Sequence, residues 1–412
     1  MNNVLGVVVE YNPFHNGHLF HLQQSVKKTD AHITIAVMSG SFLQRGEPAL
    51  TDKWTRTRMA LKGGADLVIE LPYIYSVQKA EIFSDGAVAI LNSLGANRIC
   101  FGSEDGSVEP FYNAVNKINE HKAELDQLMK AHLKQGMSYP KAFSTAFHTL
   151  FKEEEIVDLS KPNNILGYHY IKAISKLGAE IIPETVHRLQ AQYHDSSLPE
   201  NPIASATAIR GSLFDKDGDL QGIKSYIPDA TFRELADFKN NFGTFAHWDL
   251  YFPYLQYKIL SEPPERLAGL YDCSEGLEHR LKKAVSENGS FTEFMEAIKT
   301  KRYTWTRLQR LLVHLLLNTE QEFMEQYCEP LTPPYIRVLG MTGEGRRHLS
   351  SVKKNLPVPL VSRAAEMNHP VLEKDILAAR MHSLPFHPKG GLQKEYKAVP
   401  VQFDKKTETF LT

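Results

Sequence analysis

Residues 4–22 read VLGVVVEYNPFHNGHLFHL, and this stretch decides the fold of the first half of the chain. It begins with an apolar, largely β-branched run, which is the pattern of a strand buried on both faces of a parallel sheet. Asn12 and Pro13 then mark a turn, because proline does not fit inside a helix or a central strand. The apolar residues that follow recur at helical spacing. The stretch therefore predicts a strand, a tight turn and a helix.

Two histidines, His15 and His18, lie where the predicted strand leads into the helix. A helix N-terminus offers unpaired backbone N–H groups and a favourable dipole to anionic oxygens. Side chains three residues apart share one face of a helix, so both rings can donate to one polyphosphate. Gly17 has no Cβ and would let a ligand approach the backbone. The pattern predicts a phosphate site with preorganised donors and a catalytic role for both histidines.

Two other interpretations of the histidine pair stay open. Histidines in a turn can simply bond to nearby backbone groups. A zinc site is the second alternative, although neither a cysteine nor a third ligand lies close in the sequence, so we predict no metal ligand. The order of strand, proline turn, glycine and histidines favours the phosphate interpretation.

Composition indicates a large chain of balanced charge. A length of 412 residues favours two domains. The 47 Lys and Arg residues nearly cancel the 48 Asp and Glu residues, so net charge is uninformative about nucleic acid. Three cysteines lie far apart, without metal or redox spacing, which is typical of a reducing compartment. We expect a cytoplasmic protein without membrane association, because neither a signal peptide nor a membrane-spanning run is apparent.

Strand and helix patterns alternate through residues 1–224, which predicts an α/β fold with a Rossmann-like parallel sheet. The loop 39–52 follows the second predicted strand and contains Arg45 and Glu47. A long loop beside a ligand site is more often functional than structural. Helical patterns dominate residues 225–412, for which we predict a mostly helical domain.

Residues 299–310 read KTKRYTWTRLQR and interleave basic with aromatic side chains. Phosphate neutralisation combined with base stacking calls for this mixture, so it predicts contact with RNA. The predicted RNA-binding residues are Lys301, Arg302, Arg307 and Arg310. A solvated basic face that covers an apolar helix stripe is the alternative.

Residues 203–210 read IASATAIR, in which Ser205 and Thr207 can cap a helix and Arg210 lies one turn in. Small hydroxyls and an arginine at a helix start suit a triphosphate, although ordinary capping explains the hydroxyls equally well. Asn163 and Asn164 lie at the first turn of another predicted helix. The sequence does not decide which of the two caps that helix and which faces a ligand.

These motifs carry a resemblance to a known superfamily. NPFHNGH resembles the HxGH motif of nucleotidyltransferases related to class I aminoacyl-tRNA synthetases, with Tyr11-Asn12 in place of their Phe-Asp. IASATAIR resembles the ISSTxIR motif that completes their ATP site, with Ala206 in place of the second serine. With SGSFLQRGEPA, GADLVIELP, FGSE, KPNNILGYHY and KRYTWTRLQRLLVHLLL, the whole chain is similar to the bacterial tRNA(Met) cytidine acetate ligases.

The resemblance implies a two-step reaction. Acetate would be activated by ATP, accompanied by Mg²⁺, to acetyl-adenylate, and the acetyl group would pass to N4 of the wobble cytidine of elongator tRNA(Met). No obligatory protein partner is implied. The residues that the resemblance and the motifs assign to ATP are Val7, Val8, Val9, Glu10, Tyr11, Asn12, Pro13, Phe14, His15, Asn16, Gly17, His18, Leu19, Phe20, Gly102, Asn163, Arg188, Ser205, Thr207 and Arg210.

Two further functions remain as alternatives. The first is an adenylyltransferase acting on a small mononucleotide, which would leave the basic and aromatic segment without a role. The second is a non-catalytic RNA-binding protein, which would not need both histidines together with the hydroxyl and arginine motif.

Overall fold

The computed structural model describes residues 3–152, 156–188, 198, 202–215, 218–329, 331–386 and 393–411. In these ranges the strands form a single nine-stranded sheet. The strands are β1 (Val4–Val9), β2 (Ile33–Ser39), β3 (Leu67–Leu71), β4 (Arg98–Ser103), β5 (Ile182–His187), β6 (Ile336–Thr342), β7 (Leu360–Val361), β8 (Val401–Asp404) and β9 (Thr409–Leu411). Their order is β5-β4-β1-β2-β3-β6-β8-β9, and β7 pairs with β6.

Helices of the described residues cover the sheet and form most of the chain between β5 and β6. The first eight are α1 (Asn16–Thr29), α2 (Lys53–Gly63), α3 (Tyr73–Ser76), α4 (Ala80–Ser93), α5 (Glu109–Glu120), α6 (Lys122–Lys134), α7 (Tyr139–Leu150) and α8 (Pro162–Leu177). The helices between β5 and β6 are α9 (Ala206–Asp215), α10 (Asp229–Phe242), α11 (Trp248–Ser261), α12 (Pro264–Ala268), α13 (Leu277–Glu287), α14 (Phe291–Ile298), α15 (Trp305–Leu316) and α16 (Gln321–Tyr327). The last are α17 (Gly343–Val352), α18 (Pro370–Ser383) and α19 (Lys394–Lys397).

The first five strands are parallel, as the alternating pattern predicts. β1 is paired with β2 on one side and with β4 on the other, and β3 and β5 continue the sheet outward in the same direction. The carboxyl ends of these strands therefore share one edge, which is where an open α/β sheet binds its ligands. The α/β fold class is confirmed.

The C-terminal part of the chain differs from the predicted helical domain. It is helical through α16, but β6 then pairs antiparallel with β3, and β8 and β9 extend the sheet beyond β6. Without β6, β3 would be an edge strand with a row of unpaired N–H and C=O groups. The mostly apolar sequence of β6, IRVLGMT, is almost entirely buried. The helices of this part therefore end before β6. Its start at residue 225 is still a proposal.

A buried network of two cations and two carboxylates joins the late segment to the early one. Lys53 Nζ lies 2.7 Å from Glu70 Oε1, and it also contacts Glu395. Arg337 Nη2 lies 2.7 Å from Glu395 Oε1, and Arg337 Nη1 lies 3.2 Å from Glu70 Oε2. All four side chains are at most 6% exposed. Because buried charges are tolerated only when they are paired, these residues bind α2 and β3 to β6 and α19.

We expect Lys53→Met to lower the free energy of unfolding by about 3 kcal/mol, because it removes one of the two cations that compensate the buried carboxylates. Urea unfolding of the full chain measures the change. Arg363→Ala is the matched control, since Arg363 forms an exposed pair with Glu366 at 3.0 Å, and such pairs contribute less than about 1 kcal/mol. Similar small losses in both variants would contradict the assigned role of the network.

Candidate active site

The turn before α1 is closed by a reciprocal pair of hydrogen bonds between the two histidines. The backbone N–H of His18 donates to His15 Nδ1 at 3.4 Å, and the backbone N–H of His15 donates to His18 Nδ1 at 3.3 Å. The two rings stack with their centroids 3.7 Å apart. This is the geometry of a capping box, with imidazoles as the acceptors. The backbone bonds of the alternative interpretation are thus present, and both rings still lie at the helix N-terminus.

Burial decides the protonation state of these rings. It lowers the pKa of His15 to about 3, with a further contribution from the cations Arg188 and Arg210. Burial also places the pKa of His18 well below its usual value, assisted by His15 and Arg188. Both imidazoles are therefore neutral at pH 7. Since each Nδ1 accepts a backbone N–H, each neutral ring carries its proton on Nε2, which is the atom that can donate to an anion.

Gly17 serves the histidine turn itself, besides the ligand approach predicted for it. A Cβ at this position would lie 2.9 Å from His15 Cε1 and 3.0 Å from His15 Nδ1. The missing side chain therefore makes room for the imidazole itself. The neighbouring Asn16 Nδ2 donates to the carbonyl oxygens of Pro202 and Ser225, both at 2.9 Å. These two bonds hold the turn against the segments on either side of α9.

The other predicted nucleotide residues of this stretch divide between the core and the surface of the site. Tyr11 and Phe14 pack edge to face with their centroids 4.6 Å apart. Their rings belong to the core, so only their backbone is available to a ligand. The buried members are Val7, Tyr11, Asn12, Pro13 and Phe14, and the partly exposed members are Val8, Val9, Glu10, Leu19 and Phe20.

Three residues assigned to ATP by the resemblance meet at the ends of β4 and β5. Arg188 Nη1 donates to Asn163 Oδ1 at 2.8 Å, and Asn163 Nδ2 donates to Glu104 Oε1 at 2.6 Å. A Cβ on Gly102 would lie 3.2 Å from Arg188 Cγ, so the glycine leaves room for that side chain. Glu104 was missed by the sequence analysis, although it is the last residue of the FGSE motif.

The structure also distinguishes the two asparagines at the start of α8. Asn164 is 2% exposed. Its Oδ1 accepts from the backbone N–H of Glu104 at 3.0 Å, and its Nδ2 donates to the carbonyl of Asp158 at 3.1 Å. Asn164 therefore has a structural role, and Asn163, beside Arg188, is the one that faces the site.

The hydroxyl residues of the second motif lie at the start of α9. Ser205 Oγ accepts from the backbone N–H of Ala208 at 3.0 Å, so Ser205 caps the helix as the alternative interpretation predicts. Thr207 is exposed on the first turn. Ser205 thus has a capping function in the fold, whereas the side chain of Thr207 is open to solvent.

Arg210 connects this second motif to the histidine turn. Its Nη1 donates to the backbone carbonyl of Asn12 at 2.9 Å, and its Nη2 lies 2.8 Å from Glu47 Oε2. The guanidinium is therefore shared between the turn and the loop 39–52. Arg210 positions these segments, which adds to the phosphate contact predicted for it.

Arg56 is a second residue that the sequence analysis missed. It is fully buried, and its Nη1 donates to the carbonyl oxygens of Glu10 and Ser39, both at 2.9 Å. Its Nη2 donates to the carbonyl of Gly40. Burial lowers the pKa of Arg56 to about 10, so the side chain stays charged at neutral pH. Arg56 thereby joins the end of β1 to the end of β2.

The four predicted RNA-binding cations have unequal environments. Lys301 is exposed. Arg302 Nη1 lies 2.8 Å from Glu275 Oε2 in an exposed pair. The guanidinium of Arg307 lies over the ring of Tyr303, 4.8 Å from its centroid. The first two can therefore reach an RNA phosphate at low cost, whereas Arg307 is partly held by an aromatic contact.

Arg310 lies in the contact between α15 and the loop 39–52. Burial lowers its pKa. A Cβ on Gly46, whose φ is +79°, would lie 2.3 Å from the backbone nitrogen of Arg310. One orientation of the adjacent Gln309 amide places its nitrogen 3.2 Å from the carbonyl of Arg45 and its oxygen 3.1 Å from Trp248 Nε1. The helical part is therefore packed directly on the loop beside the candidate site.

Two general observations concern the ranges that the structure describes. There, His, Cys, Asp and Glu form no group of three that could hold a metal ion. No helix in those ranges is long and apolar enough to cross a membrane.

Comparison with known proteins identifies the family. A family model described as HIGH nucleotidyl transferase matches residues 1–396. The tRNA(Met) cytidine acetate ligases of Bacillus velezensis and Bacillus subtilis are 47% and 46% identical to this chain over 412 residues, which is 99% of this chain and of each relative. The chain belongs to the tRNA(Met) cytidine acetate ligase family. The resemblance inferred from the motifs is confirmed.

Solved structures extend the similarity to three dimensions. Thermotoga maritima TmcAL in its apo form superposes with a TM-score of 0.90 at 32% identity, over 98% of this chain and 100% of that chain. A second TmcAL structure, bound with alpha-thio ATP, has a TM-score of 0.88 over the same coverage. The chain thus has the same α/β architecture as this relative over 98% of its length.

We expect His15→Asn and His18→Gln to slow ATP–pyrophosphate exchange by about 10²–10³, the usual cost of losing one preorganised donor. Both replacements keep a side-chain acceptor for the helix cap, so the melting temperature should stay near that of the wild type.

His32→Asn is the matched control, because His32 is exposed and lies in the turn before β2. Its exchange rate should equal that of the wild type. Exchange at the wild-type rate in either site variant would remove that histidine from the catalytic assignment.

Proposed function

We propose that this chain is an ATP-dependent ligase that activates acetate as acetyl-adenylate and acetylates N4 of the wobble cytidine of elongator tRNA(Met). One observation carries the proposal: the paired-histidine turn lies at a helix N-terminus in a chain that aligns over 99% of its length with relatives named tRNA(Met) cytidine acetate ligase. The alpha-thio ATP bound by the Thermotoga maritima relative supports ATP as the nucleotide.

In the first step a carboxylate oxygen of acetate attacks the α-phosphorus of ATP. The new acyl–phosphate bond forms as the bond between the α-phosphorus and the bridging oxygen breaks, and pyrophosphate leaves. Charge on the phosphate oxygens is stabilised by the Nε2–H groups of His15 and His18 and by the N-terminal end of α1. Arg188 and Asn163 contribute contacts to the nucleotide at the ends of β4 and β5, beside Gly102.

We propose Mg²⁺ as the companion of ATP. Magnesium is usually held by one or two carboxylates together with substrate phosphates and water. Glu104, which already accepts from Asn163 at 2.6 Å, is a carboxylate beside the assigned nucleotide residues that could take part. The metal would neutralise the phosphate tail and favour departure of pyrophosphate.

In the second step the N4 amine of cytidine attacks the acetyl carbonyl carbon. The bond between that carbon and the phosphate oxygen breaks, AMP leaves and the amine loses a proton. Acetyl-adenylate hydrolyses in water, so it must be shielded until the cytidine arrives. We propose the loop 39–52 for this role, and its support is that Arg56 holds its first residues and that α15 packs on Gly46.

The experiment is ATP–pyrophosphate exchange with acetate, propionate, butyrate and a set of mononucleotides, each with and without tRNA(Met). We expect exchange with acetate and weaker exchange with the longer acids. Transfer of labelled acetate to the tRNA should follow. Exchange that responds to a mononucleotide and not to acetate would overturn the proposal in favour of an adenylyltransferase.

The helical part is proposed to bind the tRNA, and we propose the cytoplasm as the location because a tRNA substrate supports it. We retain the four cations of residues 299–310 as the proposed contacts, with unequal contributions. Lys301 and Arg302 are exposed and are the ones expected to meet phosphates. Arg310 instead has its backbone packed against the loop at Gly46, and burial lowers the pKa of its side chain, so it is the cation least available to a phosphate.

We expect the double variant Lys301→Ala with Arg302→Ala to weaken tRNA binding and to flatten its salt dependence. Each lost phosphate contact removes roughly 0.7–0.9 from the slope of log K against log salt. Filter binding at several salt concentrations measures both quantities. Lys406→Ala, an exposed lysine after β8, is the control. An unchanged slope in the double variant would show that these two cations are only a solvated face.

A further inference from the structure

An exposed aromatic pair lies one helical turn beyond Arg210. Phe214 on α9 is 37% exposed, although phenylalanine is among the residues most often buried. Its ring lies against that of His247, with the centroids 5.0 Å apart and the planes at 57°. The core face of α9 is formed by other residues: Ala208, Ile209 and Leu213. Phe214 therefore shares its face with Arg210, at a spacing of four residues, and not with the core.

A chain of hydrogen bonds connects this pair to the histidine turn. Arg210 donates to the carbonyl of Asn12 at 2.9 Å. The Asn12 side-chain oxygen accepts from the backbone N–H of Leu50 at 2.6 Å, and the carbonyl of Leu50 accepts from the backbone N–H of Ala246 at 3.0 Å. His247 follows directly and precedes α11. The pair thus sits where α9, the end of the loop 39–52 and the helical part meet.

The pair lies away from Arg188 and Asn163, two of the residues assigned to ATP. Its bonded neighbours belong to the turn after β1 and to the loop after β2. The cluster around Arg188 and Asn163 follows β4 and β5, and the sheet order is β5-β4-β1-β2. An adenine held beside Arg188 would therefore not cover Phe214. Phe214 is exposed on this other side, so it is available to the RNA, the substrate of the second step.

We propose that Phe214 and His247 form a stacking platform for the acceptor cytosine of the RNA substrate. The proposal rests on the proposed function and names how that function holds its second substrate. An exocyclic amine can attack an acyl-adenylate only when its base is unpaired, and unpaired bases in RNA are characteristically stacked on aromatic side chains.

The surroundings of the pair suit a nucleotide. Arg210, one turn before Phe214, is a cation that remains 17% exposed. Asp249 Oδ2 lies 3.3 Å from His247 Nδ1 and holds the imidazole in place. Phe214 supplies an apolar face, and His247 supplies a second ring whose orientation is fixed. Stacking accepts any base, so the amine chemistry, and not the platform, selects cytidine.

The test uses the full-length enzyme, ATP, labelled acetate and an anticodon stem-loop RNA with cytidine at the wobble position. Phe214→Ala should lower kcat/KM for the RNA about ten- to a hundredfold, the range expected for loss of one base-stacking contact. Phe214→Tyr should restore the rate, because it keeps the aromatic face. Phe214→Leu should behave like alanine, since it keeps apolar volume without a π face.

Tyr257→Ala is the matched control, because Tyr257 is 74% exposed on α11 and lies outside the site. It should leave both acetyl transfer and exchange at wild-type rates. ATP–pyrophosphate exchange without RNA reports on the nucleotide site alone. A parallel loss of exchange in Phe214→Ala, with a raised KM for ATP, would place the adenine on the platform and overturn the proposal.

A second arm identifies the base by equilibrium binding. Wild-type enzyme should bind a stem-loop with an abasic wobble nucleotide more weakly than the intact RNA, and Phe214→Ala should weaken binding of the abasic RNA no further. A full effect of Phe214→Ala on the abasic RNA, or coupling to a neighbouring base instead, would overturn the assignment. If wild-type enzyme transfers no acetyl group to RNA, the proposed function fails, and this binding arm still decides whether the platform holds a base.

Discussion

The buried guanidinium of Arg56 is the interaction on which the site depends. Backbone carbonyl oxygens at the carboxyl ends of parallel strands lie where the ladder of hydrogen bonds stops, so they need other donors. Arg56 donates to three of them, on Glu10, Ser39 and Gly40, from a fully buried position. A planar group with five donors can satisfy several carbonyls at once, which a lysine cannot do. The end of β1, the end of β2 and the start of the loop 39–52 are fixed together as a result.

The neutral state of the histidines is a second constraint with consequences for binding. Protonated rings next to Arg188 and Arg210 would place several cations in a desolvated site, and burial keeps the pKa of His15 at about 3 instead. A bound polyphosphate adds negative charge beside the rings and favours the charged form. Neutral rings thus avoid the cost of buried positive charge, while the dipole of α1 and the Nε2–H groups can still face an anion.

The helical part and the late strands are both packed directly on the first half of the chain. α15 packs on the loop 39–52 at Gly46, and the late strands are locked onto β3 by the network of Lys53, Glu70, Arg337 and Glu395. A partner that binds the helices therefore acts on a structure that already touches the loop beside the site.

Local patterns were sufficient for much of this molecule. The strand, turn and helix of residues 4–22, the parallel strands after it, and the family itself follow from the sequence, because buried parallel strands and helix starts have short-range patterns. The grouping of Arg188, Asn163 and Gly102 was inferred from the resemblance and appears in the structure.

Other features depend on partners distant in sequence. β6 pairs with β3 across more than 260 residues, and nothing in the seven residues of β6 indicates that it pairs with β3. Arg56 looks like any helix residue until β1 and β2 bring their carbonyl oxygens to it. Gly17 is predicted from the sequence to let a ligand approach the backbone, and only the structure shows that it also makes room for His15. The sequence by itself determined the elements of the first half of the chain and the residue types of the motifs, whereas the tertiary structure decided which groups meet, because contacts and burial arise only when the chain is folded.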